Sequence, residues 1–305
     1  MVQCSAYGLN KDSFFMMEAD SLSVFVKAPA KINLSLDVYH KRPDGYHEVE
    51  MVMTMVDLAD RIALEDRPDG EIHLLSNSGV IPQDARNLAW RAAELVRERF
   101  GIDRGVTITI AKEIPVAAGL AGGSSDAAAV LKGLNQLWRL GASIEELIEL
   151  GLHLGSDVPF CLVQGTARAT GRGERIEQLP AMPPCWVVLA KPPISISTSD
   201  VYGDLDLDQI TTRPETDALI ASLARRDFHG VVRQMRNVLE PFVFRKYPEV
   251  ARLKEQMLRF SGEGVLMSGS GPTVYALLQQ ESRARRLFHN LKGFCKEVYM
   301  VRLLG

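Results

Sequence analysis

Residues 115–126 read P-V-A-A-G-L-A-G-G-S-S-D. Gly119, Gly122 and Gly123 lack a Cβ, so a ligand can come close to the backbone there and φ can turn positive at little steric cost. Ser124, Ser125 and Asp126 start helices well, and Val130, Leu131, Leu134 and Leu137 beyond them form an apolar stripe at helical spacing. The pattern predicts a loop feeding a helix that begins near Ser125. Unpaired N–H groups and the positive end of the helix dipole would favour a phosphate there. The same glycines would also serve where a helix and a strand merely pack closely, and both readings stand on the loop alone. The loop is neither G-x-x-x-x-G-K-[ST] nor G-x-G-x-x-G, so any nucleotide it holds is held outside the P-loop and Rossmann classes.

Two charged residues elsewhere gain meaning if folding brings them to this loop. Lys31 lies in K-A-P-A-K-I-N-L and Asp157 in H-L-G-S-D-V-P-F-C. A lysine at a strand end can simply reach solvent, and Ser-Asp before Val-Pro can be a turn or a helix cap. Together beside a phosphate they would suit phosphoryl transfer, which needs an oriented acceptor hydroxyl and cations that balance developing charge. A second glycine cluster, M-S-G-S-G-P-T at residues 267–273, is either a hairpin turn or a second backbone clamp over the phosphate region.

The elements that must position these residues are legible from periodicity. Val24 and Val26 open an alternating run that continues through residues 32–39, and the turn K-R-P-D-G-Y leads to a strand over 48–56. Short strands are expected at 62–64 and 72–75. Asn87 caps a helix that Gly101 ends, and V-T-I-T-I forms a strand leading to the glycine loop. A helix covers 144–151, with short strands near 160–163 and 186–190. Helices are expected at 217–225, 228–237, 248–260 and 281–291, and strands at 265–267, 273–278 and 298–303. This mixture reads as two α+β domains, the second an antiparallel sheet covered by helices. The domains are expected at residues 23–164 and 165–305, behind a disordered extension at 1–22.

Composition bounds what the chain does. With 305 residues it exceeds the size at which single cores usually stop growing. A net charge of -3 gives no general attraction to nucleic acid. Cys4, Cys161, Cys185 and Cys295 are scattered without a C-x-x-C pair or a histidine cluster, which points to a reducing cytoplasmic setting and away from structural zinc. No apolar run is long enough to cross a bilayer, and Lys11, Asp12, Glu18 and Asp20 interrupt any secretory signal. No membrane or nucleic-acid partner is expected.

The chain resembles the GHMP kinase superfamily. Three separated motifs carry the resemblance in order: P-A-K-I-N-L at 29–34, the glycine loop from Pro115, and M-S-G-S-G-P-T. R-P-D-G-Y-H at 42–47, G-S-D-V-P-F at 155–160 and I-S-I-S-T-S at 194–199 resemble a branch whose small-molecule substrate carries a cytidine diphosphate moiety and is phosphorylated on an alcohol. The long N-terminal extension departs from the pattern. The resemblance implies a two-domain α+β fold, with an N-terminal domain like ribosomal S5 domain 2, an α/β sandwich-like C-terminal domain, and the active site between them. It implies ATP and Mg²⁺ as cofactors, with Lys31 and Asp157 as catalytic residues. Pro115, Val116, Ala117, Ala118, Gly119, Leu120, Ala121, Gly122, Gly123, Ser124 and Ser125 would hold the ATP phosphates. Asn33, Tyr46, His47, Thr198 and Tyr202 would face the substrate, and Gly269, Ser270 and Gly271 would form the second loop. No carboxylate cage for a metal is present, consistent with Mg²⁺ held largely by phosphate oxygens and water. A monomer or a weak homodimer is expected. Two competing readings are a kinase of the same superfamily acting on homoserine, mevalonate or a sugar, and a nonenzymatic nucleotide-binding protein that kept the fold.

Overall fold

In the computed structural model, residues 23–261 and 264–304 are described; the expected extension at 1–22 lies outside them. The chain opens with β1 (Ser23–Lys41) paired antiparallel to β2 (His47–Arg67). Then follow β3 (Ile72–Ser76), α1 (Leu88–Phe100), β4 (Gly105–Ala111), α2 (Gly122–Leu137), α3 (Ile144–Leu152), α4 (Val158–Val163), β5 (Thr166–Gly171) and β6 (Arg175–Gln178). The second half runs β7 (Trp186–Lys191), α5 (Thr198–Gly203), α6 (Thr216–Ala224), α7 (Phe228–Gln234), β8 (Arg236–Asn237), α8 (Glu240–Lys246), α9 (Pro248–Ser261), β9 (Val265–Met267), β10 (Val274–Leu278), α10 (Glu281–Lys292) and β11 (Glu297–Leu304).

The strands join in the order β3-β4-β2-β11-β7-β10-β9, with β1 and β5 also paired to β2. β11 joins the two halves: it pairs with β7 along most of its length and with β2 through Leu303 and Leu304. β5 and β6, which follow the expected boundary at 164/165, are hydrogen-bonded to the β2 side of this assembly.

Alternation along β1 sets up the site. Ala30, Ile32 and Leu34 are buried in an apolar cluster shared with α6, α7 and β7, so Lys31 and Asn33 face the opposite side of the strand. Burying each large apolar side chain contributes about 1.5–3 kcal/mol, which holds this register against a one-residue slip. A register shift falls between Pro29 and Ala30, immediately before Lys31; such bulges accept a proline within a sheet and re-aim the next side chain.

Local signals explain the helices. Asn87 Oδ1 accepts from the Ala89 N–H at 2.9 Å and starts α1, and Gly101 at φ 63° ends it. Ser143 and Glu146 form a reciprocal capping box on α3. The interior of α2 is rich in alanine, and a Cβ on Gly133 would run into the Leu64 side chain, so the helix lies close on β2. Four expectations change. The helix expected at 228–237 ends at Gln234, because Met235 turns extended and Arg236–Asn237 pair with β1 as β8. Residues 160–163, expected as a strand, belong to α4, because Pro159 fits a first helical turn and the apolar residues pack under α2 and α3. The stretches 48–56 and 62–64 are one strand: Asp60 between them is fully buried, and its carboxylate accepts from the Glu113 and Ile114 N–H groups. Helix α2 begins at Gly122, so Gly122 and Gly123 are its first residues.

Candidate active site

The start of α2 is the floor of a cleft of about 800 Å³. Its N–H groups at Gly122, Gly123 and Ser124 have no carbonyl a full helical turn behind them, whereas the Ser125 N–H already donates to the Ala121 carbonyl at 2.8 Å. The Ser125 hydroxyl donates to the Pro29 carbonyl at 2.7 Å. Ser125, expected among the phosphate-holding residues, is therefore turned into the protein and ties α2 to β1. Pro115 through Ser124 all line the cleft. The loop is held in a conformation side chains resist: Ala117 and Ala121 have φ of 51° and 55°, and Gly119 has 72°.

Both catalytic candidates come to this loop. The Lys31 N–H donates to the Leu120 carbonyl at 3.1 Å, its side chain is 4% exposed, and its Nζ lies 3.8 Å from Asp157 Oδ2. Lys31 Nζ also donates to Asn33 Oδ1 at 2.6 Å. Asn33 is wholly buried, and its Nδ2 has no hydrogen-bond partner among the described residues. Asp157 stands at the N-cap position of α4 but makes no side-chain cap bond. It is the more open member of the pair, at 29% exposure.

The second glycine loop reaches the same place. Ser268 Oγ donates to the Gly119 carbonyl at 2.9 Å, and a Cβ on Gly269 would stand 3.4 Å from Lys31 Nζ. Asn237 Nδ2 donates to the carbonyls of Met267 and Gly269 at 2.9 and 2.8 Å, holding this loop from behind. Gly269 and Ser270 line the cleft; Gly271, at φ 80°, packs against Met267 instead.

Tyr46, His47, Thr198 and Tyr202 line the cleft on the Asp157 side. The rings of His47 and Tyr202 lie 5.4 Å apart at 39°, while Tyr46 is half exposed and carries the Arg172 guanidinium 5.1 Å from its ring centre. Thr198 and Ser270 share a hydroxyl hydrogen bond of 2.9 Å. Burial, with the charge of Lys41, holds the His47 imidazole below its ordinary value. Burial and the charge of Asp157 push the Tyr202 phenol up, so it remains a hydrogen-bond donor.

Several residues of the cleft carried no usable sequence signal. Lys112 Nζ bridges Asp60 and Asp126, the latter at 3.0 Å, directly beneath Gly122. Burial pushes the Asp126 carboxyl up, Lys112 pulling against this and Asp60 adding to it. Leu88 stands beside Gly123, and with Asn87 and Arg86 it forms another part of the wall. Lys112 directly follows β4, and its partners Asp60 and Asp126 lie 52 and 14 positions away.

Comparison with known proteins fits this geometry. Residues 87–165 match the family described as GHMP kinases N terminal domain, and residues 219–297 match GHMP kinases C terminal. The chain is 56% identical over 284 residues to 4-diphosphocytidyl-2-C-methyl-D-erythritol kinase of Geobacillus sp. (strain WCH70), covering 93% of this chain and 98% of the relative. It is 58% identical over 281 residues to the protein of the same name from Geobacillus thermodenitrificans (strain NG80-2), covering 92% and 97%. A crystal structure of 4-(cytidine 5'-diphospho)-2C-methyl-D-erythritol kinase superposes with a TM-score of 0.79 at 36% identity, covering 92% of this chain and all of the other. Homoserine kinase from Cytophaga hutchinsonii shares the fold, with a TM-score of 0.76 at 21% identity, covering 95% and 97%.

Proposed function

The chain belongs to the family of 4-diphosphocytidyl-2-C-methyl-D-erythritol kinases within the GHMP kinases, and from that premise we propose that it transfers the terminal phosphoryl group of ATP to the 2-hydroxyl of 4-diphosphocytidyl-2-C-methyl-D-erythritol. The products are the 2-phosphate and ADP, in the non-mevalonate route to isoprenoid precursors. The observation that carries this reading is the Lys31–Asp157 pair at 3.8 Å beside the start of α2. One group there can take or orient the acceptor's proton, and the other can stabilise the charge that develops on the phosphoryl oxygens.

In this reading the N–H groups of Gly122, Gly123 and Ser124 hold the triphosphate, and Asp157 aligns the acceptor hydroxyl for attack. Lys31, fixed by Asn33 and by the Leu120 carbonyl, holds the acceptor and its neighbouring charge in line. Both glycine loops exclude water around the transferred group. The described residues include no group of three or more histidine, cysteine or carboxylate side chains that would hold a metal. Oxygen donors lining the cleft next to the loop include the Ser124 hydroxyl and the Asp126 and Asp157 carboxylates, a sparse set that fits Mg²⁺ retaining phosphate oxygens and waters. When bound, the ion supplies charge neutralisation of the phosphates. No described helix is long and apolar enough to cross a membrane, and a cytoplasmic monomer or weak homodimer goes with this reading.

The reading is tested by phosphoryl transfer from ATP with Mg²⁺ to three alcohols, the diphosphocytidyl substrate, homoserine and mevalonate. Preferred turnover of either of the latter two would move the chain to another branch, and absence of transfer to all three would make it a binding protein.

Two variants separate its halves. A Cβ on Gly123 would meet only Leu88 Cδ1, at 3.8 Å, so Gly123→Val fits the protein yet intrudes on the cleft. ATP affinity should fall about tenfold or more with little change in thermal stability; unchanged affinity in calorimetry would count against the phosphate assignment. Tyr46→Ala removes a flat, half-exposed ring, and should raise the KM for the cytidylyl substrate about tenfold while ATP use holds. Equal losses toward both substrates would remove Tyr46 from the cytidine side.

A further inference from the structure

Five cationic side chains line the cleft: Lys31, Lys41, Arg86, Lys112 and Arg172. Three of them are already matched by carboxylates. Lys31 faces Asp157, Lys112 bridges Asp60 and Asp126, and Arg86 pairs with Asp84 at 2.7 Å. Asp44, which feels the charge of Arg172, is paired to Arg42 instead. Among the described residues, Lys41 and Arg172 form no ion pair, and both stand on the part of the wall that carries Tyr46 and His47.

Arg172 is the better placed of the two. It sits in the turn between β5 and β6, where its N–H donates to Glu174 Oε2 at 2.6 Å and its Nη2 to the Leu152 carbonyl at 3.3 Å. Its guanidinium covers the Tyr46 ring. The next residue, Gly173, packs against Ser156, the neighbour of Asp157: a Cβ there would lie 3.4 Å from that of Ser156. The turn thus touches both the aromatic surface and the segment bearing the catalytic carboxylate. A diphosphocytidyl alcohol with its base at Tyr46 and its hydroxyl at Asp157 must carry its two phosphates past this turn. Resting on the reading above, we propose that Arg172 is a specificity-determining residue that binds the diphosphate of the acceptor through its remaining N–H donors, while keeping one face of Tyr46 covered. Charge-assisted hydrogen bonds from a guanidinium to phosphate oxygens are among the stronger polar contacts available in a partly desolvated cleft.

The experiment is calorimetric binding of CDP and of cytidine to the full chain, with the ATP site filled by a nonhydrolysable ATP analogue, paired with steady-state kinetics. The wild-type chain should bind CDP about tenfold or more tightly than cytidine. Arg172→Met keeps an aliphatic cover on Tyr46 and removes the charge. It should erase that gap, leave cytidine affinity within about twofold, and raise the acceptor KM about tenfold with kcat and the KM for ATP unchanged. Arg172→Lys should retain part of the gap. Loss of CDP and cytidine affinity in equal proportion would make Arg172 only a support for Tyr46, and an intact gap in Arg172→Met, or a lysine variant no better than methionine, would equally overturn the proposal. A wild-type chain that binds neither probe and transfers no phosphate to the diphosphocytidyl substrate would overturn the acceptor reading itself, a result seen before any variant is made.

Discussion

Asp157→Asn is expected to lower kcat by about 10²-fold or more while leaving the fold and ATP affinity intact. The geometry makes this variant a clean probe. Asp157 occupies the N-cap of α4 without making a cap bond, and its ion-pair partner is Lys31 at 3.8 Å. Asparagine keeps the size and removes the charge and the proton acceptor, so little structure is lost with it. Lys31→Met is less clean, because Lys31 Nζ also donates to the buried Asn33 Oδ1 and its removal leaves that oxygen unpaired. Rapid-quench measurement of the transfer step separates chemistry from product release. Near-normal single-turnover rates in both variants would dismiss the pair as catalytic.

Gly119→Ala should cost both stability and turnover. Gly119 lies at φ 72°, and a Cβ there would overlap the Ser268 carbonyl oxygen and stand 3.0 and 3.1 Å from Gly271 backbone atoms. The left-handed backbone alone costs alanine about 1–2 kcal/mol, and crowding against backbone that cannot rotate away adds roughly 1–3 kcal/mol. A fall in Tm of roughly 5–10 °C is expected. Catalytic efficiency toward both substrates should fall too, since the displaced loop carries the Leu120 carbonyl that fixes Lys31. Gly101→Ala is the control: φ is 63° there and a Cβ meets nothing within 4 Å. If differential scanning calorimetry finds Gly119→Ala no worse than Gly101→Ala, the contact between the loops has no energetic weight.

Local chemistry made much of this molecule readable. Asn87 and Gly101 bracket α1, Ser143 with Glu146 starts α3, and alternation places Lys31 opposite Ile32 on β1. Failures came where tertiary context overrides local preference. F-C-L-V at 160–163 is a short apolar run that periodicity cannot assign, and burial against two helices made it part of α4. The runs 48–56 and 62–64 read as two strands with Asp60 between them, yet its carboxylate is satisfied from 53 and 54 positions away and the strand runs on. Ser125 reads as a helix starter near a phosphate, and only the fold reveals that its hydroxyl points at Pro29. Arg172 and the Asp60–Lys112–Asp126 group escaped for the same reason: each is defined by partners far along the chain, and one sequence does not disclose such pairings.

The position of β11 has a consequence for how the protein comes into being. This strand is the last of the described chain, yet it lies between β2 and β7 and fills the seam of the whole assembly. As the polypeptide emerges from the ribosome, Lys31, the glycine loop, Asp157 and Ser268 are all made before the strand that locks the halves together. A nascent chain stalled before Glu297 would thus hold every candidate catalytic residue and still lack the piece that keeps the cleft walls in register. Proteolysis near the C-terminal end, or a premature stop that removes only those last residues, should be far more damaging than their distance from the chemistry suggests.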